Sequence, residues 1–251
     1  MTEPVLLVEG LVKRFGGITA VNEVSFAARP GEILGLVGPN GAGKSVVINL
    51  VCGVYRPTRG SIRFRGAEVA HAPAWRRARL GVGRTYQNIR LLRRLSVLEN
   101  VLAAVRRHAL HPVRAAWSRT RRAEVDAAMA LLAAVRLDGK ADRPSGALAY
   151  GEARRLEIVR ALAAEPRLLL LDEPAAGMNE EETVELQRTV RFCQERVEAV
   201  LVVEHDMAFI EALTDHLVVM DAGVKIAEGR PRSVLSDPRV MEAYLGADDD
   251  A

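Results

Sequence analysis

The eight residues at positions 38–45 read Gly38-Pro39-Asn40-Gly41-Ala42-Gly43-Lys44-Ser45 and match the pattern GxxxxGK[ST] at every specified position. The residues just before them, Glu32–Val37, predict a short buried strand, and Lys44–Cys52 predicts a helix that ends at Gly53. Glycines between a strand and a helix let backbone N–H groups converge on phosphate oxygens, and the helix N-terminus adds its positive end. The stretch therefore predicts a phosphate-binding loop of a nucleotide site.

The loop also supplies two side chains for nucleotide chemistry. Lys44 provides a point charge for the β and γ phosphates, and the hydroxyl of Ser45 is a ligand for Mg²⁺. A nucleotide bound with Mg²⁺ is therefore expected. The predicted nucleotide contacts in this stretch are Gly38, Pro39, Asn40, Gly41, Ala42, Gly43, Lys44 and Ser45.

Acidic side chains follow a second predicted buried strand. Leu168–Leu171 is a run of four leucines, and Asp172 and Glu173 come directly after it. Asp172 is expected to orient Mg²⁺ through water, and Glu173 to polarise the attacking water as a general base. Another strand, Val200–Val203, brings His205 to the same edge of the sheet, where it would hydrogen-bond the γ-phosphate or hold the water.

Strand and helix patterns divide the chain into an α/β core and a helical middle. Strands are predicted early in the chain, and Ser61–Arg65 alternates as an edge strand does. From residue 167 onward strands alternate with helices, which indicates a mostly parallel sheet. We expect one domain, 1–251, with a core of residues 1–87 and 165–251 and a helical insertion at 88–164. The middle helices are expected at Val97–Leu110, Arg121–Leu137 and Glu152–Ala164.

Composition excludes several classes of protein. Of the 251 residues, 49% are apolar and 27% are charged, which is typical of a globular chain. No apolar run approaches the roughly 20 residues that span a bilayer, and Met1–Pro4 does not begin a secretory signal. We expect Cys52 and Cys193 to be free thiols in a reducing cytoplasm, because neither lies in a CxxC motif.

Positive charge is concentrated in one part of the chain. The net charge is only +3, yet thirteen arginines and a single acid, Glu99, lie between Arg76 and Arg122. Such a stretch fits nucleic acid, anionic lipid, a protein partner or an ordinary solvated face, and composition alone does not separate these.

Further short motifs occur elsewhere along the chain. They are Phe15, Thr85–Asn88 with Gln87, Leu148–Glu152, Ala176–Asn179 and His205. With the phosphate loop and Leu168–Glu173, this order resembles the ATP-binding subunits of ABC transporters over essentially the whole length. The resemblance implies a P-loop NTPase core with an antiparallel β subdomain and an inserted helical subdomain, the ABC ATPase architecture.

The resemblance also implies roles for these residues. Phe15 would stack on adenine, and Gln87 would reach Mg²⁺, take part in catalysis and couple to a membrane subunit. The signature residues Ala149, Tyr150, Gly151 and Glu152 would contact nucleotide. Within the family, the run from Leu148 to Ile158, the segment Asp172–Asn179 and the ending Ala243–Gly246 are similar to branched-chain amino acid importers, specifically to the larger of their two ATPases.

Three positions depart from the common family pattern. Ala149 stands where a serine hydroxyl usually faces the γ-phosphate, so Gly151 and the helix N-terminus must carry that contact. Asn179 replaces an aspartate, and Val46, counted among the nucleotide contacts, gives no second hydroxyl.

The resemblance implies partners as well. A second ABC ATPase, in a homo- or heterodimer, would close on two ATP molecules at the cytoplasmic face of the membrane. Two permease subunits would anchor the complex, an extracytoplasmic solute-binding protein would act indirectly, and no nucleic acid is expected. The segment with Arg90, Arg93 and Arg94 would line the groove for a permease helix. Whether the Arg106–Arg122 run lies near anionic lipid headgroups stays open from the sequence.

Four other functions stay open from the sequence. They are an exporter ATPase (for lipopolysaccharide, for example), an importer for amides or urea, a soluble ABC ATPase acting on nucleic acid or ribosomes, and a small P-loop kinase. The signature sequence favours an importer over an exporter, and with Glu173 and His205 it argues against a kinase. A length of 251 residues leaves no room for the second cassette or long coiled coil of a soluble ABC ATPase. The sequence does not separate amino acids from amides or urea.

Overall fold

The computed structural model describes residues 3–105 and 118–245, which form two sheets and a group of helices. The strands are β1 (Leu6–Phe15), β2 (Ile18–Ala28), β3 (Ile33–Val37), β4 (Arg59–Phe64), β5 (Ala67–Glu68), β6 (Val82–Arg84), β7 (Leu168–Asp172), β8 (Ala199–Glu204), β9 (His216–Asp221) and β10 (Val224–Gly229). The helices are α1 (Lys44–Val51), α2 (Ala74–Leu80), α3 (Val97–Leu102), α4 (Ser118–Ala134), α5 (Tyr150–Ala163), α6 (Glu180–Gln194), α7 (Met207–Leu213), α8 (Pro231–Leu235) and α9 (Pro238–Leu245).

The larger sheet carries the parallel strands that the sequence predicts. Its order is β10-β9-β3-β8-β7-β6, and only β10 pairs in the antiparallel direction. The second sheet is antiparallel, with the order β2-β1-β4-β5. This combination confirms the predicted α/β class. The prediction of an edge strand at Ser61–Arg65 is wrong, because β4 lies between β1 and the two-residue β5.

Strand β7 explains why the large sheet is buried on both faces. Leu168 and Leu170 pack into one hydrophobic cluster with α1 and the antiparallel sheet, and Leu169 and Leu171 pack into another with α6 and α7. Successive side chains on a strand point to opposite faces, so an all-leucine strand suits a sheet covered on both sides. Cys52 and Cys193 are free and buried in these two clusters, as predicted.

Helices α3, α4 and α5 pack around a third cluster that includes Val101, Leu132 and Leu156. The helix predicted at Val97–Leu110 ends earlier, at Leu102, and the one predicted at Arg121–Leu137 ends at Ala134, with Arg136 in the left-handed region at φ 58°. Most of the Arg106–Arg122 run lies outside the described residues. The division of the chain at residues 88 and 164 stays a prediction.

In the part of the chain that the structure describes, no helix has the length and apolar character needed to cross a membrane.

The carboxyl ends of β3, β7 and β8 lie along one edge of the large sheet, because β3 and β7 both pair with β8 in parallel register. The segments that follow these three strands are therefore brought together.

Candidate active site

The loop at residues 38–45 follows β3 and wraps over the N-terminus of α1. Gly38 and Gly43 have φ values of 153° and 94°. A Cβ at Gly38 would lie 2.1 Å from the carbonyl oxygen of Met220, and one at Gly43 would lie 2.5 Å from that of Ala20. Only glycine fits at these two positions, and the close approach fixes the loop against β9 and β2.

Lys44 is buried at the first position of α1 and folds back over the loop. Its Nζ donates to the carbonyl oxygens of Gly38, at 2.5 Å, and Pro39, at 2.8 Å. Burial lowers the pKa of the Lys44 ammonium, while the carboxylates of Glu173, Glu204 and Asp172 act in the opposite direction. The ammonium is therefore bound to the loop and interacts electrostatically with three carboxylates.

The other loop residues divide between surface and core. Asn40, Gly41 and Ser45 are exposed, and Ala42 is buried. Val46 packs its side chain against the first hydrophobic cluster, so only its backbone is available to a ligand. Gly43 precedes α1 and has no side chain to cap the helix, which leaves first-turn N–H groups for another acceptor.

Asp172 is held by an arginine that sequence reasoning missed. Arg84 Nη2 lies 2.8 Å from Asp172 Oδ2, and Arg84 Nη1 donates to Asn49 Oδ1 at 2.7 Å. Both side chains of the ion pair are about nine-tenths buried. The stacking of Arg84 over the ring of Tyr86, 4.9 Å from its centroid, further fixes the guanidinium. The Asp172 carboxylate therefore has a defined orientation at the end of β7.

Glu173 and Gln87 meet although 86 residues separate them. Gln87 Nε2 donates to Glu173 Oε2 at 2.7 Å. The backbone at Glu173 is left-handed, with φ 44°, and its N–H donates to the carbonyl of Val203 at 2.9 Å. A glutamate in this region is strained, and such strain is kept where the surroundings hold the residue in place. The structure thus brings together two of the three predicted catalytic residues.

His205, the third, follows β8 and is more than half exposed, at 54% of its side chain. Beneath it lies Glu204, which is fully buried and was not predicted as a site residue. Glu204 accepts from the N–H of Ala175 at 2.7 Å and of His205 at 3.1 Å, and His205 Nδ1 lies 3.7 Å away. Burial raises the pKa of Glu204. In the sequence, the one sign of Glu204 is an acidic residue directly after the apolar run Val200–Val203, and this pattern does not show that the acid is buried.

Phe15 lies at the hairpin between β1 and β2, and its ring is 41% exposed. Tyr55 meets this ring edge-on, with centroids 5.3 Å apart. The Nζ of Lys13 lies 4.7 Å from the Phe15 centroid. The ring is thus supported by two neighbours and remains accessible to a flat ligand.

The segment Ala149–Glu152 begins helix α5 and contacts other parts of the chain. Ala149 is the N-cap residue, and its N–H donates to Glu152 Oε2 at 3.3 Å, while Glu152 also pairs with Lys140. The N–H of Gly151 donates to Glu182 Oε1 at 3.2 Å. Tyr150 is exposed. The residues that this segment contacts belong to α6 and to the turn at 138–140, whereas the phosphate loop contacts β2 and β9.

A buried arginine on α5 holds the backbone next to Gln87. The two Nη atoms of Arg154 donate to the carbonyls of Tyr86 and Gln87, both at 2.6 Å, and Arg154 pairs with Glu157 at 3.0 Å. Glu157 in turn accepts from the N–H of Arg90 at 2.9 Å, and burial raises the pKa of this glutamate. Sequence reasoning assigned neither Arg154 nor Glu157 to the site.

Comparison with known families gives two matches. A model described as "ABC transporter" matches residues 21–176, and one described as "Branched-chain amino acid ATP-binding cassette transporter" matches residues 224–250.

Curated relatives and solved structures agree with these families. The high-affinity branched-chain amino acid transport ATP-binding protein BraF of Pseudomonas aeruginosa is 42% identical, covering 98% of this chain and 99% of that protein. LivG of Escherichia coli, described in the same words, is 40% identical with the same coverage. A structure of the ADP conformation of MJ1267, an ATP-binding cassette of an ABC transporter, has a TM-score of 0.86 and 31% identity, covering 98% of this chain and 100% of that one. A nucleotide-free cassette from an ABC transporter has a TM-score of 0.84 and 30% identity, covering 96% and 99%.

Proposed function

The chain belongs to the ABC transporter family, and we propose that it is the ATPase subunit that powers import of branched-chain amino acids or closely related solutes. The ATPase part of the proposal is carried by the meeting of Lys44, Asp172, Glu173 and Gln87 where β3 and β7 end. The solute class is supported by likeness to BraF along 98% of the chain, together with the family match at residues 224–250.

In this proposal, ATP binds first to the loop at residues 38–45. Lys44 exchanges its bonds to the Gly38 and Pro39 carbonyls for oxygens of the β and γ phosphates. The backbone N–H groups of the loop and the uncapped start of α1 hold the same phosphates. The accessible ring of Phe15 stacks on the adenine.

The donor set at the end of β7 fits Mg²⁺. Mg²⁺ prefers hard oxygen ligands and uses one or two carboxylates together with phosphate oxygens and water. Asp172, fixed by Arg84, the exposed hydroxyl of Ser45 and the amide oxygen of Gln87 are the side chains that would hold it, directly or through water. When bound, the ion supplies charge neutralisation for the phosphates.

Hydrolysis follows from the geometry around Glu173. Its carboxylate takes a proton from the attacking water, and Gln87, which already donates to Glu173, orients the same water. The exposed imidazole of His205 donates to the γ-phosphate, and its backbone is fixed by the buried Glu204 beneath it. All three groups follow strands of the large sheet, so their relative positions are set by the core.

The signature segment acts across a dimer. Because Ala149–Glu152 lies against α6 and not against the phosphate loop of its own chain, it is available to nucleotide bound by a second ABC ATPase subunit. Two such subunits close on two ATP molecules, each site pairing one loop with the other subunit's signature. Hydrolysis then reopens the pair.

Membrane subunits dock beside Gln87. A groove of about 410 Å³ lies between the Gln87–Arg93 segment and the start of α5, and Leu148 and Tyr150 are among the residues that line it. Of the three arginines predicted to line such a groove, Arg93 is exposed and does so, whereas Arg90 and Arg94 are not among the lining residues. A cytoplasmic helix of one of two permease subunits fits such a groove and places the protein at the cytoplasmic face of the membrane. An extracytoplasmic solute-binding protein acts through the permeases.

Uptake by whole cells tests the solute class. A strain without this gene should lose most of its uptake of labelled leucine, isoleucine and valine, and the wild-type gene should restore it. A gene carrying Glu173→Gln should not restore uptake, although the protein is made. Normal uptake of all three, with loss of amide or urea uptake or of lipopolysaccharide export, would contradict the proposal and favour one of those functions.

A further inference from the structure

The carboxylate of Glu182 joins two helix N-termini that the transport cycle uses. Its Oε1 accepts from the N–H of Gly151, in the first turn of α5, at 3.2 Å. Its Oε2 accepts from the N–H of Asn179, the N-cap residue of α6, at 3.3 Å. Asn179 Oδ1 accepts in return from the N–H of Glu182 at 2.9 Å. One side chain thus connects the signature segment with the segment that follows Glu173.

The contact with Gly151 is close along the whole end of the side chain. A Cβ at Gly151 would lie 2.7 Å from Glu182 Oε1, 2.8 Å from its Cδ and 2.9 Å from its Cγ. Gly151 is buried by this approach, whereas Ala149 and Tyr150 beside it are exposed. Any other residue at position 151 would push Glu182 away from the helix.

The charge of Glu182 matters because of what the start of α5 is expected to bind. A helix N-terminus attracts anions, and a carboxylate there has the same sign of charge as a phosphate. Ala149 has no hydroxyl, so the N–H of Gly151 is the principal donor for the γ-phosphate held by a second subunit. In the open chain that donor is already bound to an anion of the chain itself.

We propose that Glu182 is a positioning residue that occupies the Gly151 N–H in the open state and is displaced by the γ-phosphate of the partner subunit's nucleotide when the dimer closes. This inference rests on the proposed function, since it needs the ATP-bound dimer. Closure breaks the bond from Gly151 to Glu182 and brings a phosphate near the carboxylate, so the carboxylate opposes closure. Displacement also withdraws Oε2 from Asn179, so the start of α6 changes its hydrogen bonding only in the closed state.

The test compares two charge-neutral variants of the full chain in a Glu173→Gln background, where ATP is bound but not hydrolysed. Glu182→Gln removes the charge but keeps an amide oxygen for the Asn179 N–H, because glutamine also serves in a capping box. We expect ATP-driven self-association, measured by sedimentation, to become about tenfold tighter, which is about 1.4 kcal/mol. ATP affinity of the monomer should not change.

Glu181→Gln is the matched control. It removes the same charge from the same helical turn, but Glu181 is exposed and is not the residue that accepts from Gly151. We expect its dimer constant to stay within about twofold of the background. The amide resonance of Gly151, followed by NMR in the monomer, should shift in Glu182→Gln and stay in place in Glu181→Gln.

Each outcome has a defined meaning. Equal dimer constants for Glu182→Gln and Glu181→Gln, a weaker dimer in Glu182→Gln, or an unmoved Gly151 resonance would overturn the role of Glu182. Failure of the Glu173→Gln chain to associate with ATP at all would instead overturn the dimer step of the proposed function, and the inference with it. A loss of helix stability alone could not produce a tighter dimer.

Discussion

Two helix N-termini in this chain contact phosphate in the proposed function, and they are built differently. Helix α1 begins after Gly43, and its loop is fixed by β2 and β9 and supplied with the ammonium of Lys44. Helix α5 begins after Ala149, which is exposed like Tyr150, and it has a carboxylate, that of Glu182, on its Gly151 N–H. The first end has no side-chain cap, whereas the second has a carboxylate bound to one of its N–H groups.

This difference predicts separate roles for the two helix ends, one in ATP binding and the other in the association of subunits. In the proposed function the loop before α1 binds nucleotide within a single subunit, because its backbone is already held in place and only Lys44 exchanges its bonds. An N-terminus that is already satisfied binds a new anion only by exchange, so it responds to the approach of a second subunit. Changes at α1 should therefore affect ATP affinity, and changes at α5 should affect association of subunits.

Glu173→Gln should produce the largest effect while leaving both helix ends intact. Loss of the general base should lower ATP hydrolysis by about 10³, within the usual range for such groups, with ATP affinity unchanged. Steady-state ATPase and nucleotide titration measure the two quantities. Glu165→Gln is the control, since Glu165 is also left-handed, at φ 51°, but precedes β7 instead of following it. Unchanged turnover in Glu173→Gln would remove Glu173 from the site.

Lys44→Ala should come next and should act on binding. The ammonium contacts phosphates in the ground state, so its loss should weaken ATP binding about 100-fold, as expected for charge-assisted hydrogen bonds. Lys225→Ala removes a lysine that pairs with Glu228 and should bind ATP normally. Near-normal ATP affinity in Lys44→Ala would contradict the role of the α1 end in ATP binding and with it the proposed difference between the two helix ends.

Ala149→Ser should have the smallest effect and should act only between subunits. A serine at this N-cap would add a donor for the γ-phosphate of the partner's nucleotide, and half of the usual bond energy corresponds to about tenfold or less in the dimer constant. ATP affinity of the monomer should stay the same. Sedimentation with and without ATP, in the Glu173→Gln background, measures this effect.

Ala147→Ser provides the control for that measurement, because it adds a hydroxyl two residues earlier, in the turn before α5. A dimer constant that Ala149→Ser leaves unchanged would mean that position 149 does not face the phosphate. The proposed contact between this signature and the ATP of the partner subunit would then lose its support.

Much of the fold follows from local patterns in the sequence. The four leucines of β7 and the glycine loop after β3 are each contained within eight residues, so periodicity and turn chemistry predict them. Helix ends were predicted less well. Helix α3 ends at Leu102, whereas the sequence pattern predicts an end at residue 110. The prediction failed because helical propensity is a weak guide to where a helix ends.

The contacts that order the site were not predictable in this way. Arg84 pairs with Asp172 across 88 positions, and Arg154 reaches Tyr86 and Gln87 across 68 and 67 positions. Such contacts depend on which strands and helices become neighbours, and no local pattern distinguishes Arg84 from the other arginines around it. Glu204 was hidden for a different reason, since a buried acid at a strand end is identified only when its burial is known.

The two carbonyl bonds of Arg154 also define where the backbone can bend. Thr85 belongs to the large sheet, because its N–H donates to Leu170 at 2.9 Å, whereas the next carbonyl, that of Tyr86, is bound to α5. A displacement of α5 relative to the sheet would therefore act on the backbone between Thr85 and Tyr86. Gln87 is held by α5 whereas Glu173 follows β7, so such a displacement would change the 2.7 Å distance between Gln87 Nε2 and Glu173 Oε2.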